Sequence, residues 1–479
     1  MSKLMIGWGE ADITPDLNGK LIPLSGQYYA RYAKGIHSRL KNVVVAISSG
    51  DEYFITGSVD NVWCEKSFHD RVCAEVAKLA PEIDGSRIFL NAIHTHSAPR
   101  LRLGEEEPAD PGVLSIREYT ESVIPVVAQN IVNAWRSRKP GGIIRGFGNA
   151  RIGHCRRAVY RDGTAEMYGD TTREDFVGME AGEDSGVEML FTCDESGKKT
   201  GMLLNAACPS QTMEATYLVS SDFAGATREL LKQEFGEDFH TIYEISPAGC
   251  QSPRDLVRHY TAEPDFWHAD GVDVLARRLF AAVKNADLGT PEFAPELRHV
   301  TRQVALPRRR VSYRDFMAAT AELERLTKIM PEDKSFEEFC AEVRANEKLD
   351  GPGPYDSKLH HFVLIKNAKA VVRRYEEQDQ APDLHFDMHV VRLGDAVIAS
   401  NPFELYLYYG QNIKARSHAG QTFLVQLSCG ADINAGYLPS PDAEKFGGYG
   451  GIVCNGQVGS DGGYKLADVT VETINSLFD

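Results

Sequence analysis

"SRIFLNAIHTHSAPR", residues 86–100, is the stretch that organises the chain. Its first half is an apolar run of Ile, Phe and Leu, the composition of a buried strand. Its second half places His94 and His96 two residues apart. On a continuing strand, residues i and i+2 share a face, and both imidazoles reach one point in space. Such a pair commonly begins a zinc site, yet a catalytic zinc takes three protein groups and a water. The alternative is a strand end whose histidines hydrogen-bond locally.

Upstream, "NVVVAISSG" (42–50) and "EYFITGSVD" (52–60) read as strands around a Gly50–Asp51 turn. "EKSFHDRVCAEVAKLAP" (65–81) has helical periodicity and stops at Pro81. Downstream, "YTESVIPVVAQNIVNAWRSR" (119–138) is an amphipathic helix. "GVEMLFTC" (186–193) and "TGMLLNAACPS" (200–210) are strands, "DFAGATRELLKQEFG" (222–236) a helix. "FHTIYEISPAGCQSPRD" (239–255) is a strand running into a polar loop, and "GVDVLARRLFAAVKNA" (271–286) is helical. Residues 312–376 are rich in helix formers with a break at "DGPGPYDS" (350–357). Strands resume afterwards, so this is a helical insertion within one domain covering residues 1–479. "HFDMHVVRLGDAVIASNP" (385–402) is a hairpin turning at Gly394–Asp395, "ELYLYYGQNIKARS" (404–417) a helix and "QTFLVQLSC" (421–429) a strand. The class is α/β, with mixed sheets flanked by helices and no visible internal repeat. A long Gly-rich loop follows at 430–451, and loops of that length in a compact domain are usually functional.

A net charge of −16 argues against a nucleic-acid partner and against simple docking on an anionic membrane. No stretch approaches the ~20 apolar residues of a membrane span. The opening "MSKLMIGWGEADITPDL" has no apolar h-region before Glu10 and Asp12. Nine cysteines are scattered without a CxxC pair, which fits reduced thiols in a cytoplasm.

Several loop motifs resemble one family in their order. They are "GWGEADITP" (7–15), "GIHSRL" (35–40), "AIHTHSAP" (92–99), "SSDFAG" (220–225), "GCQSPR" (249–254), "NPFE" (401–404) and "AGYLPSPDAEKFGGYGG" (435–451). The chain is similar in this to the neutral/alkaline ceramidases, over essentially its whole length to about residue 465. The resemblance implies a ceramidase-like catalytic domain, with no room for the C-terminal immunoglobulin-like domain of true ceramidases. It implies a zinc hydrolase cleaving an amide or related acyl bond of a small-molecule or lipid-like substrate. His94 matches the first zinc-binding histidine, Glu404 the carboxylate ligand and Tyr437 the tyrosine ligand. His96 matches the neighbouring catalytic histidine, and Tyr449 the tyrosine that stabilises the substrate oxygen. Arg156 matches the substrate-contacting arginine, with Arg157 next door as the alternative. Ser252 falls at a family serine and reads as structural.

One implied ligand is missing. The family usually reads "NFACHP", whereas here the stretch is "NAACPSQ" (205–211), with Pro209 where the ligating histidine stands. Cys208 could supply a thiolate or be an inherited core residue, and Gln211 could offer only a carbonyl oxygen. Cys250 departs as well, standing where the family has aspartate. The bland readings remain open for each residue: Glu404 as a helix cap, the tyrosines as loop aromatics, Arg156 as a surface cation. The expectation is therefore weakly held zinc and a pocket where these side chains converge. "SGQYYARYAKGIH" (25–37) is an aromatic loop that could line it.

Overall fold

The run Lys41–Ser49 serves two cores at once. Val43, Val45 and Ile47 enter one cluster, Val44 and Ala46 another. A strand buried on both faces reads as a continuous apolar run, which is why this segment looks unpatterned. The structure, a computed structural model, describes residues 3–17, 19–27, 29, 31–103, 112–264, 266–345 and 360–479. The break at "DGPGPYDS" lies outside the described residues, as do Tyr28 and Ala30 of the aromatic loop.

The strands fall into three units with one topology. In the first, β1 (Leu4–Asp12), β2 (Lys41–Ser49) and β3 (Glu52–Val59) pair antiparallel in turn, and β4 (Ile88–Ala92) adds parallel to β3. Helix α1 (Lys66–Leu79) crosses between β3 and β4, and α2 (Ile116–Arg136) follows. The second unit repeats this with β5 (Lys139–Asn149), β6 (Gly186–Asp194), β7 (Lys199–Ala206), α3 (Asp222–Phe235), β8 (His240–Ile245) and α4 (His268–Lys284). The third has β9 (Leu297–Pro307), β10 (Asp383–Leu393), β11 (Ala396–Ser400), α8 (Leu407–Arg416), β12 (Gln421–Val425) and α9 (Ser460–Ser476). Its β9–β10 turn holds the insertion: α5 (Tyr313–Ile329), α6 (Glu332–Ala345) and α7 (His361–Glu377).

Units one and two join through antiparallel β1 and β5 into one sheet, ordered β8-β7-β6-β5-β1-β2-β3-β4. The third unit forms the second sheet, β9-β10-β11-β12. An apolar core lies between the sheets, where Phe54, Phe89 and Ile242 meet Val391, Ile398 and Phe423. Helices α1–α4 cover the outer face of the first sheet through residues such as Phe68, Val127, Phe223 and Leu275. Helices α8 and α9 cover the second through Leu407, Ile413, Leu466 and Ile474. The layering is helix, sheet, sheet, helix. Helix α2 opens on a Ser115 N-cap, whose hydroxyl accepts the Glu118 amide at 2.9 Å.

Three expectations need correction. The strand carrying the histidines ends at Ala92, and His94 has a left-handed φ of 66°, so the two imidazoles do not share a strand face. The helix expected from Glu404 begins at Leu407, with Tyr406 as its N-cap, because Glu404–Leu405 instead pairs with Tyr437–Leu438. Reduced thiols fail at one pair: Cys64 and Cys429 form a disulfide across 365 residues, with Cα atoms 5.1 Å apart. Among the described residues no helix is long and apolar enough to cross a membrane.

Candidate active site

In each unit the chain leaves two parallel strands at the same end, after the third and fourth strands. Such carboxyl ends are where ligands bind in α/β sheets. Val62 and Trp63 follow β3, His94 and His96 follow β4, Gln211 and Glu214 follow β7, and Glu404 follows β11. Tyr437 and Tyr449 come from the loop after β12, Arg156 and Tyr168 from the segment between β5 and β6. All of these line one cavity of about 280 Å³.

The left-handed turn at His94 sets the histidine pair. The His94 Nδ1–H donates to the Val62 carbonyl at 2.8 Å, which turns the Nε2 lone pair into the cavity. His96 brings its own Nε2 to 3.2 Å from that atom and its Nδ1 to 3.3 Å from Glu214 Oε2. The His96 carbonyl is held from behind by Arg31, which is fully buried. Burial keeps both rings neutral: His94 is lowered despite Glu404, and His96 is lowered further by burial, His94, Arg31 and Arg156.

Opposite them, the Glu404–Tyr437 strand pairing puts two polar side chains beside Arg156. Arg156 Nη2 lies 3.2 Å from the Tyr437 hydroxyl and 3.6 Å from Glu404 Oε2, and donates to the Gly249 carbonyl at 3.0 Å. Nη1 donates to the Tyr168 hydroxyl at 3.3 Å. Burial opposes the guanidinium charge, but Tyr437, Tyr168 and Glu404 together hold it firmly on. Burial pushes the Tyr437 phenol well above its usual range, and its hydrogen bond to Glu404 adds to that against Arg156. Tyr449 packs edge-on to Tyr437, ring centres 5.6 Å apart. Of the two arginines, Arg156 lines the cavity and Arg157 does not. Arg157 is fully buried, paired with Glu180 at 2.6 Å, and donates to the Tyr449 and Gly447 carbonyls from behind the loop.

The implied zinc can be tested against these donors. His94 Nε2 and Glu404 Oε2 face each other at 3.8 Å. Burial pushes the Tyr437 phenol up, which disfavours the phenolate that a metal takes. Pro209 has no donor in its side chain. Cys208 is turned away from the cavity: its thiol donates to the Ile152 carbonyl at 3.1 Å, and burial pushes its pKa well up. Arg156 already places positive charge beside Glu404. Among the described residues no group of three or more His, Cys, Asp or Glu side chains is placed to hold a metal ion. The set does not fit a firmly held zinc, and no step below is drawn through one.

Ser252 does not line the cavity; its hydroxyl accepts from Tyr168 at 3.3 Å, behind the wall. Cys250 is buried and not among the lining residues. The sequence reading missed Glu214, Trp63, Arg100 and Tyr168. The available signal for Glu214 was an acidic residue in a short loop directly after a buried strand.

Comparison with solved structures shows the same fold elsewhere. The crystal structure of neutral ceramidase from Pseudomonas aeruginosa is similar to this chain with a TM-score of 0.68 at 17% identity, covering 100% of this chain and 75% of that one. A ceramidase complexed with C2 is similar at a TM-score of 0.65 and 16% identity, with coverage of 100% and 75%. No protein-family profile matches the chain. No curated protein sequence does either. At this identity the likeness shows the fold: a ceramidase-like α/β architecture.

Proposed function

We propose, with the ceramidase fold as premise, that the chain is an amidohydrolase acting on an N-acyl compound. The observation that carries this is the facing pair of imidazoles in the same cavity as Arg156 and Tyr437. Glu214 Oε2 lies 3.3 Å from His96 Nδ1 without completing a hydrogen bond, and the negative charge of a carboxylate there favours the tautomer with its proton on Nδ1. The His94 proton is likewise fixed on Nδ1 by Val62. Two Nε2 lone pairs then face one another at 3.2 Å, and a single proton arriving between them is shared by both. This pair is the general base.

The attacking water gives its proton to the Nε2 pair as its oxygen bonds the acyl carbon. Arg156, whose Nε–H has no partner, and the hydroxyl of Tyr449 donate to the oxygen that becomes negative. Donors of this kind are each worth about 10²–10³ in rate. The shared proton then passes to the leaving nitrogen as the C–N bond breaks, giving a carboxylic acid and a free amine. Glu214 is a positioning residue that also balances the cation formed on the pair.

The test is release of free amine from a panel of N-acyl amines. His96→Ala is expected to lose about 10²–10⁴-fold in turnover, with circular dichroism and melting temperature close to wild type. A well-folded wild type that cleaves no N-acyl amine would refute the proposal.

A further inference from the structure

The cavity wall away from the reacting groups is built for hydrogen bonds. Gln211 is 1% exposed, its amide nitrogen donates to the Tyr168 hydroxyl at 3.2 Å, and its Oε1 has no partner. A buried acceptor left unmatched is costly, so this atom calls for an N–H or O–H from an occupant. Asn434 and Asn455 line the cavity as well, Asn434 at its exposed rim. Their carbonyl oxygens are engaged by the Gly436 and Gly450 amides at 2.9 and 3.0 Å, which leaves their NH₂ groups as donors. The wall thus offers a buried acceptor and two amide donors. Aliphatic surface is confined to Val62 and Met167.

Size points the same way. Drug-sized ligands occupy about 300–1,000 Å³, mostly against apolar walls. The cavity here is about 280 Å³. A compound with two long hydrocarbon chains does not fit within this cavity alone.

We infer that the substrate is a small, hydroxyl-bearing N-acylated amine, an amino sugar or amino polyol with a short acyl group, and not a two-chain lipid amide. This rests on the amidohydrolase reading above. The scissile amide lies between the imidazole pair and Arg156. Hydroxyls of the amine portion donate to Gln211 Oε1 and accept from Asn434 and Asn455. Nothing is consumed beyond the water of hydrolysis.

The experiment has a binding arm and a turnover arm. N-acetylglucosamine is titrated calorimetrically into His96→Ala, which keeps the cavity wall, and into His96→Ala carrying Gln211→Ala or Asn455→Ala. Saturable binding is expected, weakened at least tenfold by either added change. In the turnover arm, wild type is given N-acetylglucosamine, N-octanoylglucosamine and N-palmitoylsphingosine in detergent, and kcat/KM is expected to fall at least tenfold at each step. Binding without turnover of any amide keeps the ligand class inferred here and overturns the amidohydrolase reading. Turnover favouring the sphingosine keeps that reading and overturns this inference. It would then point to the apolar groove of about 510 Å³ between α5 and α7, which shares Cys454 with the cavity. No binding of the hexosamine, or binding indifferent to Gln211 and Asn455, also overturns it.

Discussion

Gly26→Ala tests the placement of the imidazole pair without replacing a reacting group. Gly26 has φ of +93°, and a Cβ built there falls 2.3 Å from His96 Cγ and 2.4 Å from its Nδ1. Carbon atoms in contact sit about 3.5 Å apart, so the ring or the backbone must give by roughly 1.2 Å. The ring has little room, with Glu214 at 3.3 Å on one side and His94 at 3.2 Å on the other. A misplacement of about 1 Å can cost ~10²-fold in rate, and that is the expected loss of turnover. The left-handed backbone adds its own penalty of roughly 1–2 kcal/mol for a residue with a Cβ. At about 2.1 cal/mol/K per residue, unfolding of 479 residues turns this into a drop of about 1–2 °C in Tm. Gly163→Ala separates the two effects, since Gly163 has φ of +81° and nothing within 4 Å of its Cβ. Amine release and thermal melts are measured on both variants. Turnover in Gly26→Ala within about threefold of Gly163→Ala would refute the claim that His96 must sit where it does.

Glu214→Gln keeps the shape but removes the charge behind His96; turnover is expected to fall about 10–100-fold, the usual scale for an orienting partner, with Tm within a degree or two, and an unchanged rate would strip Glu214 of its role. Zinc measured by elemental analysis after dialysis is expected well below one per chain in wild type and higher in Pro209→His; full, tight zinc in wild type would show that the donor set was misjudged. Glu244 is fully buried, and burial pushes its pKa from 4.5 up to about 8 against a hydrogen bond from Asn205. A folded-state pKa raised in this way gives stability that is present below about pH 4.5 and lost as pH rises through about 8. Glu244→Gln should therefore flatten the fall in denaturant midpoint over that window, and parallel curves for the two proteins would contradict this.

The strands with strong patterning were legible. β2 and β3 with their Gly50–Asp51 turn, α1 ending before Pro81, and the β10–β11 hairpin at Gly394 all follow from local composition. The convergence of His94 and His96 was legible for the wrong reason. Spacing suggested one strand face, whereas a left-handed turn and the Val62 carbonyl, 32 residues away in sequence, set the geometry. Glu214 was passed over and Gln211 was read only as a weak ligand, since the partners that give them their places, His96 and Tyr168, reach them only in the folded chain. The threefold topology left no sequence trace because it repeats a path and a burial pattern, which many apolar residues satisfy. The Cys64–Cys429 pair is a contact between distant loops, and spacing alone does not reveal such partners.

The left-handed backbone at His94 has a bearing on how this lineage can be read. A histidine there carries a steric penalty that glycine would not, and asparagine less. What it gains is the direction of Nε2, set by the turn and the Val62 carbonyl. Once selection for chemistry lapses, drift at this position runs downhill toward glycine or asparagine, with stability as the reward. The residue found at this turn in any related chain is thus a marker of trade: histidine where the cavity still works for its living, glycine where the scaffold has retired from catalysis.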